Sequence, residues 1–273
     1  MSPDFKADLV VLAPIWVSLL FGTGCGYLLR ASAMELYSVA PFPESPVGSL
    51  GNAFYFVILV GTGASLLFFL LKRGSSRLIA FVTGFALATA VFLLSMIYLC
   101  ALFSLFTAMP FEVLASASAV ITFLACYVVF RVGSTTGDFI VLLLGGALGT
   151  FLGAVIQTLS TVLILCFLAV YDAFAVYHGP VGKIANDGLE KFRGLSFSFR
   201  HIQMGLGDLT FYSMLVGHML LYFGVLPCLA SMAGVLLGCF SAFRLLEKRG
   251  IFPGLPIPVF SGLTLGFIAA FLV

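Results

Sequence analysis

Charged side chains are scarce in this sequence of 273 residues, because 13 Lys and Arg plus 11 Asp and Glu make up only 9% of it. A soluble domain carries about 25% charged residues, whereas 62% of this chain is hydrophobic. The composition excludes an ordinary soluble enzyme and a disordered protein, and a net charge of only +2 does not indicate binding to nucleic acid. We therefore predict an all-α polytopic protein of the lipid bilayer.

Spacings typical of metal, disulfide and serine-protease sites are also missing. There is no C-x-x-C, H-E-x-x-H or G-x-S-G sequence, and the six cysteines lie inside apolar stretches, where we interpret them as small buried hydrophobes. The three histidines, for which we expect packing or interfacial roles, are His178, His201 and His218. The sequence therefore predicts neither a metal nor a cofactor.

Nine apolar runs are long enough to be membrane spans, which need about 17 to 25 residues. They centre on Ile15–Leu20, Val57–Leu67, Phe85–Met96, Ala117–Ala125, Leu143–Leu152, Leu163–Val170, Met214–Tyr222, Ala233–Phe240 and Leu263–Ala270. Only the segment near Gln157–Ser160 separates the fifth run from the sixth, so eight spans is the alternative. We predict one nine-span domain, with six spans in residues 1–178, a loop over 179–207 and three spans in 208–273.

The basic residues lie mostly in every second segment that connects the predicted spans. Twelve of the 13 fall on one side of the predicted membrane, and only Arg30 falls on the other. Because cytoplasmic loops are enriched in Lys and Arg, we predict a cytoplasmic N-terminus, a cytoplasmic loop 179–207 and an extracytoplasmic C-terminus. The first apolar run is too long for a signal peptide and is interpreted as a retained span.

Glycines recur at four-residue spacing in several spans. Such a pattern is typical of close helix packing, either within one bundle, which we favour, or in a specific dimer. The residues are Gly22 and Gly26, Gly145, Gly149 and Gly153, Gly234 and Gly238, and Gly262 and Gly266.

Two aspartates interrupt the apolar runs. Asp172 lies about six residues before the cytoplasmic end of span six, and a carboxyl inside a membrane is expensive enough to suggest function. Asp208 opens span seven from the same side, where it could alternatively act as a helix N-cap. For Asp172 the alternative is a protonated side chain that hydrogen-bonds a neighbouring helix. Their similar depth on consecutive spans favours a pair that shares one proton across a bound water, which suits hydrolysis of an amide.

Two irregular segments accompany the aspartates. Gly205 and Gly207 precede Asp208 and permit close backbone approach, while the prolines from Pro253 to Pro258 predict an extended break before span nine. Irregular backbone at membrane depth is tolerated where protein or a water-filled cavity covers it. A simple interfacial turn is the alternative for the proline segment.

Three motifs therefore occur in order on spans six, seven and nine: Tyr171-Asp172, Gly205-Leu206-Gly207-Asp208 and Pro253-Gly254-Leu255-Pro256. With them the sequence resembles the presenilin and signal peptide peptidase family of GxGD intramembrane aspartyl proteases, which carries YD, GxGD and PAL motifs. The resemblance implies a presenilin-like nine-helix fold and an Asp172/Asp208 catalytic pair. It also implies that the other residues of the three motifs contact the substrate. Gly254 stands where the family has Ala.

The resemblance also predicts the partners, the membrane orientation and the cellular location of the protein. A cytoplasmic loop between spans six and seven favours the presenilin branch, since signal peptide peptidases have the inverted orientation. That loop is much shorter than in animal presenilins, so we expect no requirement for accessory subunits and leave self-association open. We expect an archaeal homologue in the cell membrane that cuts transmembrane helices. The alternatives are a proton- or cation-conducting transporter, for which no convincing repeat is found, and a membrane scaffold.

One segment before Asp208 has the alternation of a strand. Residues 195–199 alternate apolar and polar side chains with a period of two. We expect this segment, with Phe197 and Phe199, to pair with an unwound substrate by strand addition, and Leu255 to steady the substrate from the other side. The alternative is that the two phenylalanines only anchor the loop at the membrane surface.

Overall fold

The computed structural model describes residues 8–32, 34–73, 76–107, 109–132, 134–178, 194–199, 202–249 and 252–273. Within these ranges the chain forms nine α-helices and one β-hairpin. The helices are α1 (Ala13–Ala31), α2 (Pro46–Arg73), α3 (Ser76–Ser104), α4 (Phe111–Tyr127), α5 (Ser134–Val155), α6 (Thr158–His178), α7 (Leu206–Tyr222), α8 (Val225–Arg249) and α9 (Pro256–Leu272). The hairpin strands are β1 (Ser196–Phe199) and β2 (Ile202–Gly205), a 3₁₀ turn (Leu9–Leu12) precedes α1, and a π-helical turn (Val128–Val132) follows α4.

Seven helices of the described chain, α1 to α6 and α8, are long and apolar enough to cross a membrane. Helices α7 and α9 have 17 residues each, and α9 is apolar throughout. The chain is therefore a multi-pass helical membrane protein, whereas the nine-span count stays a prediction. The fifth and sixth apolar runs are separate helices, because α5 ends at Val155 and α6 begins at Thr158.

The predicted orientation also stays a prediction. Several basic residues on which the orientation depends lie outside the described residues: Lys6, Lys183, Lys191, Arg193 and Arg200. His201 lies outside them as well. Arg30, the one basic residue on the other predicted side, donates a hydrogen bond to the Leu220 carbonyl at 3.3 Å. That carbonyl lies in the last turn of α7, where a cation satisfies the helix end and complements its dipole.

Glycines allow the central helices to approach closely. A Cβ atom at Gly149 of α5 would lie 2.7 Å from Ser213 Cβ of α7, and a Cβ at Gly153 would lie 2.9 Å from the backbone nitrogen of His218. Gly22 likewise places α1 against Gly146 and Thr150 of α5. The four-residue glycine pattern therefore serves packing within the bundle, as favoured from the sequence, and leaves α7 largely buried at its centre.

His218 fastens α7 to the junction between α5 and α6. Its side chain is fully buried, with Nδ1 at 2.7 Å from the Gly153 carbonyl and Nε2 at 3.0 Å from the Thr158 hydroxyl. Because a carbonyl only accepts, Nδ1 carries the proton and Nε2 accepts from Thr158. The packing role expected for this histidine is confirmed.

One β-hairpin accompanies the predicted helices. Residues Ser196–Phe199 form the strand that their alternation indicates, but they pair antiparallel with Ile202–Gly205, a strand that the sequence analysis missed. The Leu206 N–H donates to the Leu195 carbonyl at 2.8 Å, so the ladder continues directly into the start of α7. The described end of the predicted loop 179–207 is therefore ordered structure, and α7 begins at Leu206.

Candidate active site

The two aspartates come from neighbouring helices and face each other. Asp172 lies in α6, six residues before its end at His178, as predicted, and Asp208 lies in the first turn of α7. Both carboxyls are partly buried and close enough to interact electrostatically. Gly205 occupies the N-cap position of α7, so Asp208 does not act as the N-cap.

The segment before α9 lies across both carboxyls. The Leu255 N–H donates to Asp172 Oδ2 at 2.9 Å, and the Gly254 N–H is also hydrogen-bonded to Asp172. On the other side, a Cβ at Gly254 would lie 3.3 Å from Asp208 Oδ2. The PAL-like motif therefore lies against both carboxyls and is hydrogen-bonded through its backbone to Asp172, so protein covers the irregular backbone of this segment.

The extended break is shorter than predicted. Helix α9 begins at Pro256, so only the residues up to Leu255 remain irregular, and the prediction of an extended segment through Pro258 was wrong. Pro256 and Pro258 fit the first turn of the helix because the N–H groups that they lack would have no partner there. Pro253 is buried and Leu255 is only 5% exposed, so the Leu255 side chain packs in the core.

A tyrosine that the sequence analysis missed completes this arrangement. Tyr212 follows Asp208 by one turn of α7, is 1% exposed, and donates its hydroxyl proton to the Gly254 carbonyl at 2.8 Å. The thiol of Cys239 on α8 is hydrogen-bonded to the same hydroxyl. The i, i+4 spacing from Asp208 was the only sequence signal for a shared face.

The remaining residues of the first two motifs occupy different surroundings. Tyr171 points at α2, with its hydroxyl 3.5 Å from the position of a Cβ at Gly61. Leu206 packs near Gly145 of α5. Among the described residues, Gly205 and Gly207 border open space, because a Cβ at either would meet no atom of those residues closer than 3.8 Å. Packing against the described residues therefore does not require glycine at these two positions.

Both phenylalanines of β1 pack on the helices. Phe197 is 2% exposed within the main core cluster, and the partly buried Phe199 packs against the same cluster. They anchor the hairpin to the bundle. The Phe197 side chain therefore faces the bundle, and its contact with a substrate stays a prediction.

The register of the hairpin shows which edge faces outward. The Ser198 N–H donates to Asp138 Oδ2 on α5 at 3.4 Å, so the backbone of Ser198 points away from β2. Its cross-strand partner Gln203, and Gly205 two residues on, form the non-hydrogen-bonded pairs of the ladder. Their backbone groups consequently point away from β1, and β2 carries the outer edge.

Comparisons with known proteins agree with this architecture. Two solved crystal forms of a presenilin family intramembrane aspartate protease each superpose with a TM-score of 0.70. They are 21% and 22% identical to this chain, and the superpositions cover 97% and 98% of it and 99% and 100% of the solved chains. The chain therefore has the presenilin fold, and the resemblance seen in the three motifs is confirmed at that level.

Sequence comparison detects the same family over a shorter stretch. Presenilin sel-12 of Caenorhabditis elegans is 36% identical over 75 residues, which amount to 27% of this chain. The match spans only 17% of that curated relative's length. No family model matches the sequence.

Proposed function

We propose that this protein is an intramembrane aspartyl protease that hydrolyses peptide bonds within the transmembrane segments of other membrane proteins. The proposal is carried by one observation: Asp172 and Asp208, from two helices, meet beneath a single loop whose N–H groups bind one of them. The fold shared with presenilin family intramembrane aspartate proteases supports the same reaction class.

The reaction follows from two carboxyls that share one proton. The ionised carboxyl accepts a proton from a water molecule as the water oxygen attacks the substrate carbonyl carbon. The protonated carboxyl donates a hydrogen bond to the carbonyl oxygen. As the C–N bond breaks, the carboxyl that took the proton from water passes it to the leaving amine. The N–H groups of Gly254 and Leu255 hold Asp172 in place during these steps.

A substrate helix must unwind before water reaches its carbonyls, and unwound backbone in a membrane needs new hydrogen-bond partners. From the sequence we expected residues 195–199 to form the pairing edge, but we place that edge on β2 instead, because the Ser198 N–H of β1 is directed at Asp138 of α5. We assign strand addition to the edge formed by Gln203 and Gly205, with the open space at Gly205 and Gly207 receiving the substrate backbone.

Replacement of Gln203 by Pro tests this edge. Gln203→Pro removes an outward N–H and no bond between β1 and β2, so we expect loss of cleavage of a helical substrate and unchanged binding of an active-site-directed inhibitor. Gln203→Ala keeps the N–H and is the matched control. Equal cleavage rates for the two variants would place substrate pairing elsewhere.

The partners and location follow from the same reading. The substrates are transmembrane-helix proteins, the enzyme works in the cell membrane without accessory subunits or a cofactor, and its orientation is that of presenilins. Purified protein reconstituted alone in vesicles with a transmembrane substrate is sufficient to test the independence from subunits. Cleavage that requires an added membrane extract contradicts it.

The decisive experiment compares the wild-type protein with Asp172→Asn and Asp208→Asn. Each change keeps the size of the side chain but removes the shared-proton arrangement, so each abolishes cleavage while the thermal unfolding of the detergent-solubilised protein stays near wild type. Asn52→Ala on α2, which breaks hydrogen bonds to Phe42 and Ser160 remote from the aspartates, controls for nonspecific loss. Near-normal proteolysis by either Asp variant refutes the proposed pair, and transport without proteolysis would favour the conducting alternative.

A further inference from the structure

The Tyr212 hydroxyl takes no part in the acid–base steps, yet it is bonded to the loop that covers the aspartates. It lies on the same face of α7 as Asp208, one turn further along, because residues four apart share a helix face. Its acceptor is the Gly254 carbonyl at 2.8 Å, and its ring is 1% exposed. A phenylalanine would fill the same volume, so packing alone does not account for the hydroxyl.

The acceptor of Tyr212 and the donor to Asp172 belong to one peptide group. The Gly254 carbonyl and the Leu255 N–H are joined by a single planar trans bond, which directs them to opposite sides. The carbonyl points at Tyr212 on α7, and the N–H points at Asp172 on α6 at 2.9 Å. Rotation of this peptide plane would therefore move both hydrogen bonds together.

A second group contacts the same hydroxyl. The Tyr212 hydroxyl donates its one proton to Gly254, and the Cys239 thiol is hydrogen-bonded to the same hydroxyl. Hydrogen bonds in such a chain polarise and strengthen one another. The chain runs from α8 through α7 and the loop to the carboxyl on α6.

We propose that Tyr212 is a positioning residue for the carboxyl pair: its hydroxyl holds the Gly254–Leu255 peptide plane so that the Leu255 N–H is directed at Asp172. The inference rests on the proposed protease function and deepens it. Loss of the hydroxyl frees the peptide plane, and Asp172 loses the group that orients it toward Asp208. The ring, the fold and the substrate-binding edge remain.

The test is cleavage of a transmembrane substrate by Tyr212→Phe, with Tyr222→Phe as the matched control. Tyr222 lies on the same helix and also donates its hydroxyl to a backbone carbonyl, that of Ala154 at 3.1 Å. Each variant therefore loses one hydroxyl–carbonyl hydrogen bond of α7. Thermal unfolding in detergent compares what each loss does to the fold.

We expect kcat of Tyr212→Phe to fall about ten-fold, as for loss of one hydrogen bond that acts in the transition state, with KM changed by less than about two-fold. Its pH–rate profile is displaced from wild type because Asp172 is no longer held. The profile of Tyr222→Phe superimposes on wild type, and its kcat stays within about two-fold. A merely structural loss would not move the pH–rate profile.

The outcomes separate this inference from the proposed function. A wild-type kcat and an unmoved pH–rate profile in Tyr212→Phe overturn the positioning role. The protease proposal still stands in that case if Asp208→Asn abolishes cleavage. If Tyr212→Phe does not fold, Cys239→Ala decides instead, since it removes the thiol that is hydrogen-bonded to the hydroxyl. A displaced pH–rate profile supports the positioning role, and a wild-type profile overturns it. Wild-type protein without cleavage overturns both proposals.

Discussion

The contact between α5 and α7 gives a prediction that links packing to catalysis. Gly149 lies against α7, and the Cβ of an alanine there would come within 2.7 Å of Ser213 Cβ and 2.8 Å of the Met214 nitrogen, besides meeting the Thr210 carbonyl. Carbon atoms in contact lie about 3.5 to 4.0 Å apart, so Gly149→Ala requires the two helices to separate by about 1 Å. Both sides of the contact are helix backbone, which cannot move out of the way as a flexible side chain could.

The expected cost has a structural and a catalytic part. Overpacking of this kind typically lowers the free energy of unfolding by about 1 to 3 kcal/mol. Asp208 is on the displaced helix, and a misplacement of about 1 Å at a catalytic group can lower the rate about 100-fold. We therefore expect Gly149→Ala to lose activity at temperatures where the protein is still folded.

The matched control is Gly24→Ala on α1, because a Cβ at Gly24 would meet no described atom within 4 Å. Ala favours helix over Gly by about 0.5 to 1 kcal/mol, so this variant should be neutral or slightly more stable and fully active. Unfolding in denaturing detergent and substrate cleavage are measured for both variants. If Gly149→Ala matches Gly24→Ala in stability and rate, the close packing of α5 on α7 does not position Asp208.

Three further predictions follow from the site and the sequence. Gly254→Ala introduces the alanine of the PAL motif but brings a Cβ 3.3 Å from Asp208 Oδ2, so we expect kcat to fall about three- to ten-fold for a displacement of a few tenths of an ångström. Gly63→Ala should leave kcat unchanged, because no described atom lies within 4 Å of its Cβ, and wild-type kcat in Gly254→Ala would show that Asp208 gives way at no cost. The cleavage rate should have a bell-shaped dependence on pH, because the pair works with one shared proton and is inactive with none or two, and a rate that stays flat into alkaline pH contradicts the shared proton. A reporter fused after Val273 should be extracytoplasmic and one inserted at residues 186–188, outside the described residues, cytoplasmic, while the reverse result assigns the signal-peptide-peptidase orientation.

Much of the architecture could be predicted because it depends on local sequence. Apolar runs of sufficient length specify membrane helices whatever their neighbours are, so the break between α5 and α6 was found at the right place. The glycine spacing indicated close contacts between helices for the same reason. Asp172 and Asp208 stood out because a carboxyl in an apolar run is conspicuous in the sequence alone.

Each difference between the sequence analysis and the structure has its own physical cause. Phe197 was assigned to the substrate because alternation shows that a strand has two faces without showing which face the bundle covers. The second strand was missed because Ile202–Gly205 is only four residues long, so its alternation is a weak signal, and it is stabilised by pairing with β1. The proline segment was predicted too long because proline is excluded from helix interiors but tolerated in the first turn.

The sequence by itself determined that this chain is a helical membrane protein with two acidic residues at similar depth on consecutive spans, because hydrophobicity and charge act residue by residue. Only the tertiary structure decided how those residues are held. The direction of the Gly254–Leu255 peptide plane depends on Tyr212 of α7 and Asp172 of α6 at once. A backbone hydrogen bond has no side-chain signature in the sequence, so its partners emerge only when separate helices pack together.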